Sequence, residues 1–262
     1  MFKWRYIESK ASSARWNMAV DEALLRTFKE GDLPIFRLYE WEEPSLSIGR
    51  FSDPLEVLHW ESVEKAGMAY VRRMTGGGIL VHGDDLSYTL IVPESFAKEN
   101  GVRESYRYLC GFLLAFYRKI GVDADFAGEQ GCRLAHTEVC LAGKERYDIV
   151  IDGRKIGGNA QRHTHEAMLQ HGSVPKKIER RYFEPFFRKE TGFDQAVTLE
   201  QLGIAMDSEH VRQVLKASFC ETFNTSLVPE ELSEAEEALA RRLYEEKYNT
   251  EVWNVHAKNS VH

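Results

Sequence analysis

The sequence predicts an α+β fold, a mixed β-sheet flanked by helices and followed by a helical C-terminal part. Three observations predict it. In LSYTLIV, Leu86, Tyr88 and Leu90 alternate with Ser87 and Thr89, the two-residue period of a half-buried strand. Between Arg103 and Ile120, Leu109, Phe112, Leu113 and Phe116 recur at three- and four-residue steps, the period of a helix with one apolar stripe. Strand-like and helix-like segments mix until about residues 191–201, and only helical patterns follow. We therefore expect a sheet domain over 1–195 and a helical part over 196–262 packed on it.

The elements follow in chain order. KWRYIES is a short strand. Trp16 to Lys29 is a helix of good helix formers, with Gly31 close behind as a stop. IFRLYEW and SLSIG are short strands around Pro44, and AYVRRM, ILVH and LSYTLIV are further strands. Asp84 and Asp85 read as turn residues before Leu86. Gly121 ends the helix that begins at Arg103, and from there to Arg146 no period is visible, so that stretch is expected to be loop. Tyr147 to Ile156 reads as a hairpin about Asp152-Gly153, a pair that accepts positive φ at both turn positions. AMLQHGSV is a strand. Val211 to Phe223 and Ser233 to Tyr248 are helices, the second opened by a capping box, Ser233-x-x-Glu236.

Composition narrows the function. The chain has 262 residues, 43% hydrophobic and 29% charged, enough for a sizeable core and a soluble surface. No apolar run reaches the roughly 18–20 residues that span a bilayer, and MFKWRYIESK has no secretory pattern. A cytoplasmic protein that does not bind membranes is expected. A net charge of −7 disfavours nucleic-acid binding. The segment from Pro175 to Glu190 is locally basic and is expected to be a solvated helix surface, with a docking patch as the alternative. The four cysteines, Cys110, Cys132, Cys140 and Cys220, form no C-x-x-C pair and read as free thiols. Cys110 sits beside the apolar helical stripe and is expected to be a small buried hydrophobe. Cys132, His136 and Cys140 are evenly spaced, but zinc sites favour pairs two to four residues apart, so no metal is expected.

Two glycine clusters point to a ligand. In RRMTGGGILVH, Gly76, Gly77 and Gly78 lack Cβ atoms, so their amides can approach an oxygen-rich group closely, with Arg72 and Arg73 adding charge. The run lacks the G-K-[ST] ending of a nucleotide loop and is not a dinucleotide fingerprint. In RKIGGNAQ, Gly157, Gly158 and Ala160 leave one strand face open beside Lys155, whose ammonium can hold a carbonyl or phosphate oxygen. QHGSV adds His171 and Gly172.

In this order, RRMTGGGILVH, DGRKIGGNAQ and LQHGSV resemble the biotin/lipoate ligase and acyltransferase superfamily, over about Met18 to Val174. The resemblance implies a sheet related to class II synthetase catalytic domains. It implies an acyl chain in a tunnel over that sheet, with its carbonyl gripped by the GGG loop and the lysine. VCLAGKERYDIVIDGRKIGGNAQ is similar to the cysteine-dependent octanoyltransferase type within it. That likeness implies Cys140 as nucleophile and Lys155 as the carbonyl-holding group. It implies a pocket lined by Arg73, Gly76, Gly77, Gly78, His82, Gly157, Gly158, Ala160, His171 and Gly172. It also implies an octanoyl acyl carrier protein as donor, a lipoyl domain or glycine-cleavage H protein as acceptor, and no cofactor. After SLSIG the sequence RFSDP departs from relatives that carry a Gln there.

A thiolate suits such a transfer, because thioester exchange between two sulfurs is nearly isoenergetic and a nearby cation raises the thiolate share. Cys140 lies eleven residues before Ile151, up to roughly 35 Å of extended chain, so CLAGKER must fold back for the sulfur to meet Lys155. The alternatives are an ATP-dependent lipoate ligase, a lipoyl amidotransferase and a non-catalytic acyl-binding protein.

Overall fold

A computed structural model of the chain describes residues 2–132, 145–189 and 191–256. In chain order its strands are β1 (Phe2–Glu8), β2 (Ile35–Glu40), β3 (Ser45–Ile48), β4 (Ala69–Arg72), β5 (Leu80–His82), β6 (Asp84–Pro93), β7 (Asp125–Phe126), β8 (Ile149–Ile151), β9 (Arg154–Lys155), β10 (Asn159–His163), β11 (Ala167–Lys177) and β12 (Thr225–Pro229). The helices are α1 (Ala14–Thr27), α2 (Pro54–Val57), α3 (Trp60–Lys65), α4 (Glu94–Asn100), α5 (Val102–Lys119), α6 (Arg180–Phe183), α7 (Ser208–Phe223), α8 (Glu234–Leu243) and α9 (Glu251–Asn254).

Six strands form the main mixed sheet, in the order β10-β11-β6-β2-β1-β12. β6 pairs antiparallel with β2 and β11, while β1 runs parallel to β2 and β12. Two helix layers cover it. On one face Phe112, Phe116 and Phe219 of α5 and α7 pack on Trp4, Tyr6, Phe36 and Tyr88. On the other, Met18 and Leu24 of α1 and Ala240 of α8 pack on Ile7, Ile35, Tyr39 and Ile91. Strand residues alternate between these two cores, as the two-residue period requires. A small sheet, β4-β3-β5, has its own core. A second, β7-β8-β9, carries Lys155.

The mixed α+β architecture is as expected, and four expectations need correction. β6 is buried on both faces rather than one, because α1 covers the side that Ser87 and Thr89 occupy. The C-terminal part is not helical alone: β12 extends the main sheet beside β1. β7 lies in the stretch expected to be loop. The basic segment is no solvated helix. It is the end of β11, the single turn α6 and a 3-10 turn, and Phe183, Phe186 and Phe187 anchor it in the core of the small sheet. The hairpin forms with φ of 49° at Asp152 and 73° at Gly153, and the Ser233–Glu236 capping box is present.

Candidate active site

A cavity of about 250 Å³ opens where the inner ends of β6 and β11 meet the loop after β4 and the β8–β9 hairpin. Met18, Tyr39, Trp41 and Leu80 supply its apolar lining, while Arg73, Lys155, Asp148 and Glu145 supply its charges. Its glycine loop is held from behind. Gly49 N donates to Gly78 O at 3.1 Å and Arg50 N to Thr75 O at 2.8 Å. A Cβ on Gly49 would fall 1.7 Å from Gly77 O, so only glycine lets the SLSIGR strand end approach this closely. The departing sequence RFSDP thus sits directly behind the loop, and Asp53 caps α2.

The two adjacent arginines part company. Arg72 is fully buried and donates to the carbonyls of Gly49, Arg50, Ser52, Trp253 and Val255, tying the C-terminal helix to the loop. Burial pushes its guanidinium down to about 10. Arg73 reaches the cavity wall. It donates to Ser47 O at 2.5 Å and Ser47 Oγ at 2.8 Å, and to the carbonyls of Gly76 at 3.2 Å and Gly78 at 2.9 Å.

Both predicted histidines line the cavity, and each is one link in a buried relay. His82 Nδ1 meets Asp85 Oδ2 at 3.0 Å and its Nε2 meets Ser47 Oγ at 2.7 Å. The carboxylate assigns the proton to Nδ1, so Nε2 accepts from the Ser47 hydroxyl, which in turn accepts from Arg73. The ring stacks on Trp41 at 3.7 Å between centroids. His171 Nδ1 faces Asp21 Oδ2 at 3.4 Å and its Nε2 meets Thr75 Oγ1 at 2.7 Å. Asp21 is further held by Arg37 at 2.6 Å and Thr89 at 2.8 Å. Burial pushes His171 below its ordinary 6.5, against the pull of Asp21, so the ring is neutral at pH 7. Burial alone would raise the Asp21 carboxyl, but Arg37, then His171 and Thr89, hold it below the usual carboxylate value. The two relays end on Arg73 and Thr75, two residues apart. They fix the glycine loop rather than offer a reactive group.

Lys155 enters from the opposite side. The hairpin pairs Val150 with Lys155, which puts Asp148, two residues earlier on the same face, diagonally across from it. Their charges meet at 2.7 Å with both side chains about 5% exposed. Asp148 Oδ2 also accepts from Glu145 N at 2.7 Å.

The structure therefore gathers Arg73, Gly76, Gly77, His82, Lys155, Gly158, Ala160, His171 and Gly172 around one cavity. Gly78 and Gly157 serve its walls. Gly78 O accepts from Arg73 and Gly49, and Gly157, with φ of 73°, lets Ser173 O come within 2.1 Å of where its Cβ would be. Cys140 lies outside the described residues, as do His136 and Gly143. Cys110 is fully buried, its Sγ accepting from Gln170 at 3.4 Å, and burial pushes its thiol well up, so it is inert. Among the described residues no group of three His, Cys, Asp or Glu side chains is placed to hold a metal ion. Nor is any helix among them long and apolar enough to cross a membrane.

Sequence reasoning missed Asp21, Ser47, Thr75, Tyr106, Asp148 and Asn159. It also misread Asp85, which is no turn residue but the first buried position of β6 and the anchor of His82. Asp148 was within reach, because the register of an Asp-Gly hairpin fixes its diagonal partner.

Fold and cavity together describe a helix-flanked mixed sheet around a small cavity with an apolar part and a polar end. The chain belongs to the lipoyl protein ligase A/B catalytic domain family, whose model matches residues 13–220. It is 34% identical to an octanoyltransferase LipM of Halalkalibacterium halodurans, over 97% of this chain and 99% of that one. It is similar to a solved lipoate-protein ligase A bound with ATP, at 25% identity and a TM-score of 0.84 over 98% of this chain and 100% of that one. A structure of a T. acidophilum protein with bound lipoic acid matches at 25% identity and a TM-score of 0.82, covering 97% of this chain and 99% of that one.

Proposed function

We propose that this chain is a cytoplasmic octanoyltransferase of lipoate biosynthesis, taking octanoate from an acyl carrier protein through Cys140 to a lysine of a lipoyl domain or H protein. The observation that carries it is the buried Lys155–Asp148 pair facing the Arg73-clamped glycine loop across a cavity with an apolar lining. The 34% identity to an octanoyltransferase over nearly the full length of both chains supports the same reading.

The Cys140 thiolate attacks the donor's thioester carbonyl. The bond to the carrier sulfur breaks, and the carrier leaves as a thiolate that takes up a proton. The acceptor's neutral amine then attacks the acyl-enzyme. The amide forms, the bond to the Cys140 sulfur breaks, and the amine proton passes to that sulfur. Lys155 stabilises the negative charge that develops on the carbonyl oxygen in both halves, where a preorganised donor is worth about 2.7–4 kcal/mol. Met18, Tyr39, Trp41 and Leu80 take the acyl tail. At about 0.8 kcal/mol per buried methylene, an eight-carbon chain contributes on the order of 5 kcal/mol of binding. Arg73, Gly76, Gly77, Gly158, Ala160 and Gly172 shape the carbonyl end, with Gly78, Gly157, His82 and His171 holding that shape.

A second reading, an ATP-dependent lipoate ligase, is favoured by the likeness to the ATP-bound ligase structure. Incubation with lipoate, ATP and magnesium separates the two. Transfer predicts no pyrophosphate release, and release that persists in Cys140→Ala would make the ligase the better reading.

A further inference from the structure

A second cavity, of about 340 Å³, adjoins the first and is assigned no part in acyl binding. The two share Tyr106, Glu145, Asp148 and Gln161, so the second opens directly onto the partner of Lys155. Its own outer lining is Val102, Arg103, Arg146 and Tyr147. The shared end thus places two carboxylates beside the neutral Tyr106 and Gln161, and the far end carries two guanidinium groups. Both arginines are exposed, and among the described residues no carboxylate is paired with either. The Arg146 backbone is tied to Gly128, whose N donates to Arg146 O at 2.9 Å, and its guanidinium lies over the Tyr147 ring, 5.9 Å from the centroid. Tyr106 and Gln161 are tied to the sheet through Asn159 O at 3.3 Å and Gln170 Oε1 at 2.9 Å.

We propose that this second cavity binds the phosphopantetheine arm of the thioester donor, with the phosphate at Arg103 and Arg146 and the sulfur at the wall shared with the acyl cavity. The arm is a long flexible amide chain with an anionic phosphate at one end and the thioester at the other. Its polarity runs the same way as the cavity's. The volume lies within the roughly 300–1,000 Å³ of small-ligand sites. Guanidinium groups are the side chains best suited to a phosphate. The other occupant to consider is the acceptor's lysine, a single cationic side chain, which gains nothing from two arginines at its entrance. The inference rests on the transfer reading and names the part of the donor recognised, an arm common to acyl carrier protein and coenzyme A.

The test measures the second-order rate constant of enzyme acylation with octanoyl carrier protein, octanoyl coenzyme A and octanoyl pantetheine, which lacks the phosphate. It compares the unaltered protein, Arg103→Glu/Arg146→Glu, and Arg242→Glu as a remote control of equal charge sign. The preference for each phosphorylated donor over octanoyl pantetheine is expected to fall about ten-fold or more in the double variant and to stay unchanged in the control. A loss with octanoyl carrier protein alone would make the arginines a contact for the carrier's surface and overturn the proposal. An unchanged preference, or a rise in KM for the acceptor domain instead, would also overturn it. Should the unaltered protein take octanoate from none of the three donors, the transfer reading fails and this inference falls with it.

Discussion

The two sides of the acyl cavity are built on different principles. On one side β6 and β11 pair over ten registered positions and contribute Asp85 and His171 to the Asp21–His171–Thr75 and Asp85–His82–Ser47 relays, whose polar groups are nearly all satisfied within the protein. On the other side a hairpin of two- and three-residue strands carries Lys155, whose ammonium meets Asp148 at 2.7 Å and whose carbonyl accepts from Val197 N at 2.9 Å. The first side has spent its hydrogen-bonding capacity on shape. In the proposed reaction the second side supplies a cation, Lys155, that meets the developing oxyanion as well as Asp148.

Removing the proposed nucleophile, or breaking the second side, should cost most. Cys140→Ala is expected to lower turnover at least about a thousand-fold, as loss of a nucleophile does, with the fold intact by circular dichroism. Lys155→Met is expected to cost about a hundred- to a thousand-fold in kcat. It also leaves Asp148 buried without its partner, at about 3–5 kcal/mol of stability. Thermal unfolding of Lys155→Met/Asp148→Leu sharpens the point: most of the stability should return while activity stays lost. If activity returned too, the pair would be structural.

Breaking the first side should act through shape and show in acid. His171 has a folded pKa below its ordinary 6.5, so the unfolded chain binds its proton first as pH falls. Its contribution is present above pH 6.5 and is lost as pH drops through the folded value, and the lowered Asp21 carboxyl adds to the loss in the same direction. The unfolding temperature should fall on acidification below that point. His171→Gln should flatten the dependence and lower kcat/KM about ten-fold, and an unchanged acid slope in that variant would remove the relay from the account. The smallest effect is expected from Met18→Val at the apolar lining. Removing bulk there should shift the preference toward a ten-carbon over an eight-carbon donor by about four-fold, close to one methylene's burial.

How much of this was legible in the sequence differs along the same line. The glycine loop, the lysine strand and the hairpin were readable, because turn chemistry and close approach are local constraints. The relays were not. Ser87 and Thr89 sit at the polar positions of a strand that alternates as a solvated one would, yet α1 closes over them and turns them into the buried network. Asp21 and His171 are brought together across 150 residues, which no spacing rule reaches. The basic segment misled for the opposite reason: its charges dominate the composition while its three phenylalanines decide where it packs. β12 was hidden because TSLVP is too short to show a period, and its place is set by β1.

The most direct measurement is intact-protein mass spectrometry after mixing with octanoyl carrier protein. The account predicts one octanoyl addition, mapped by digestion to Cys140, absent in Cys140→Ser and discharged on adding a lipoyl domain. An addition on another residue, or none at all while the lipoyl domain is still octanoylated, would contradict it.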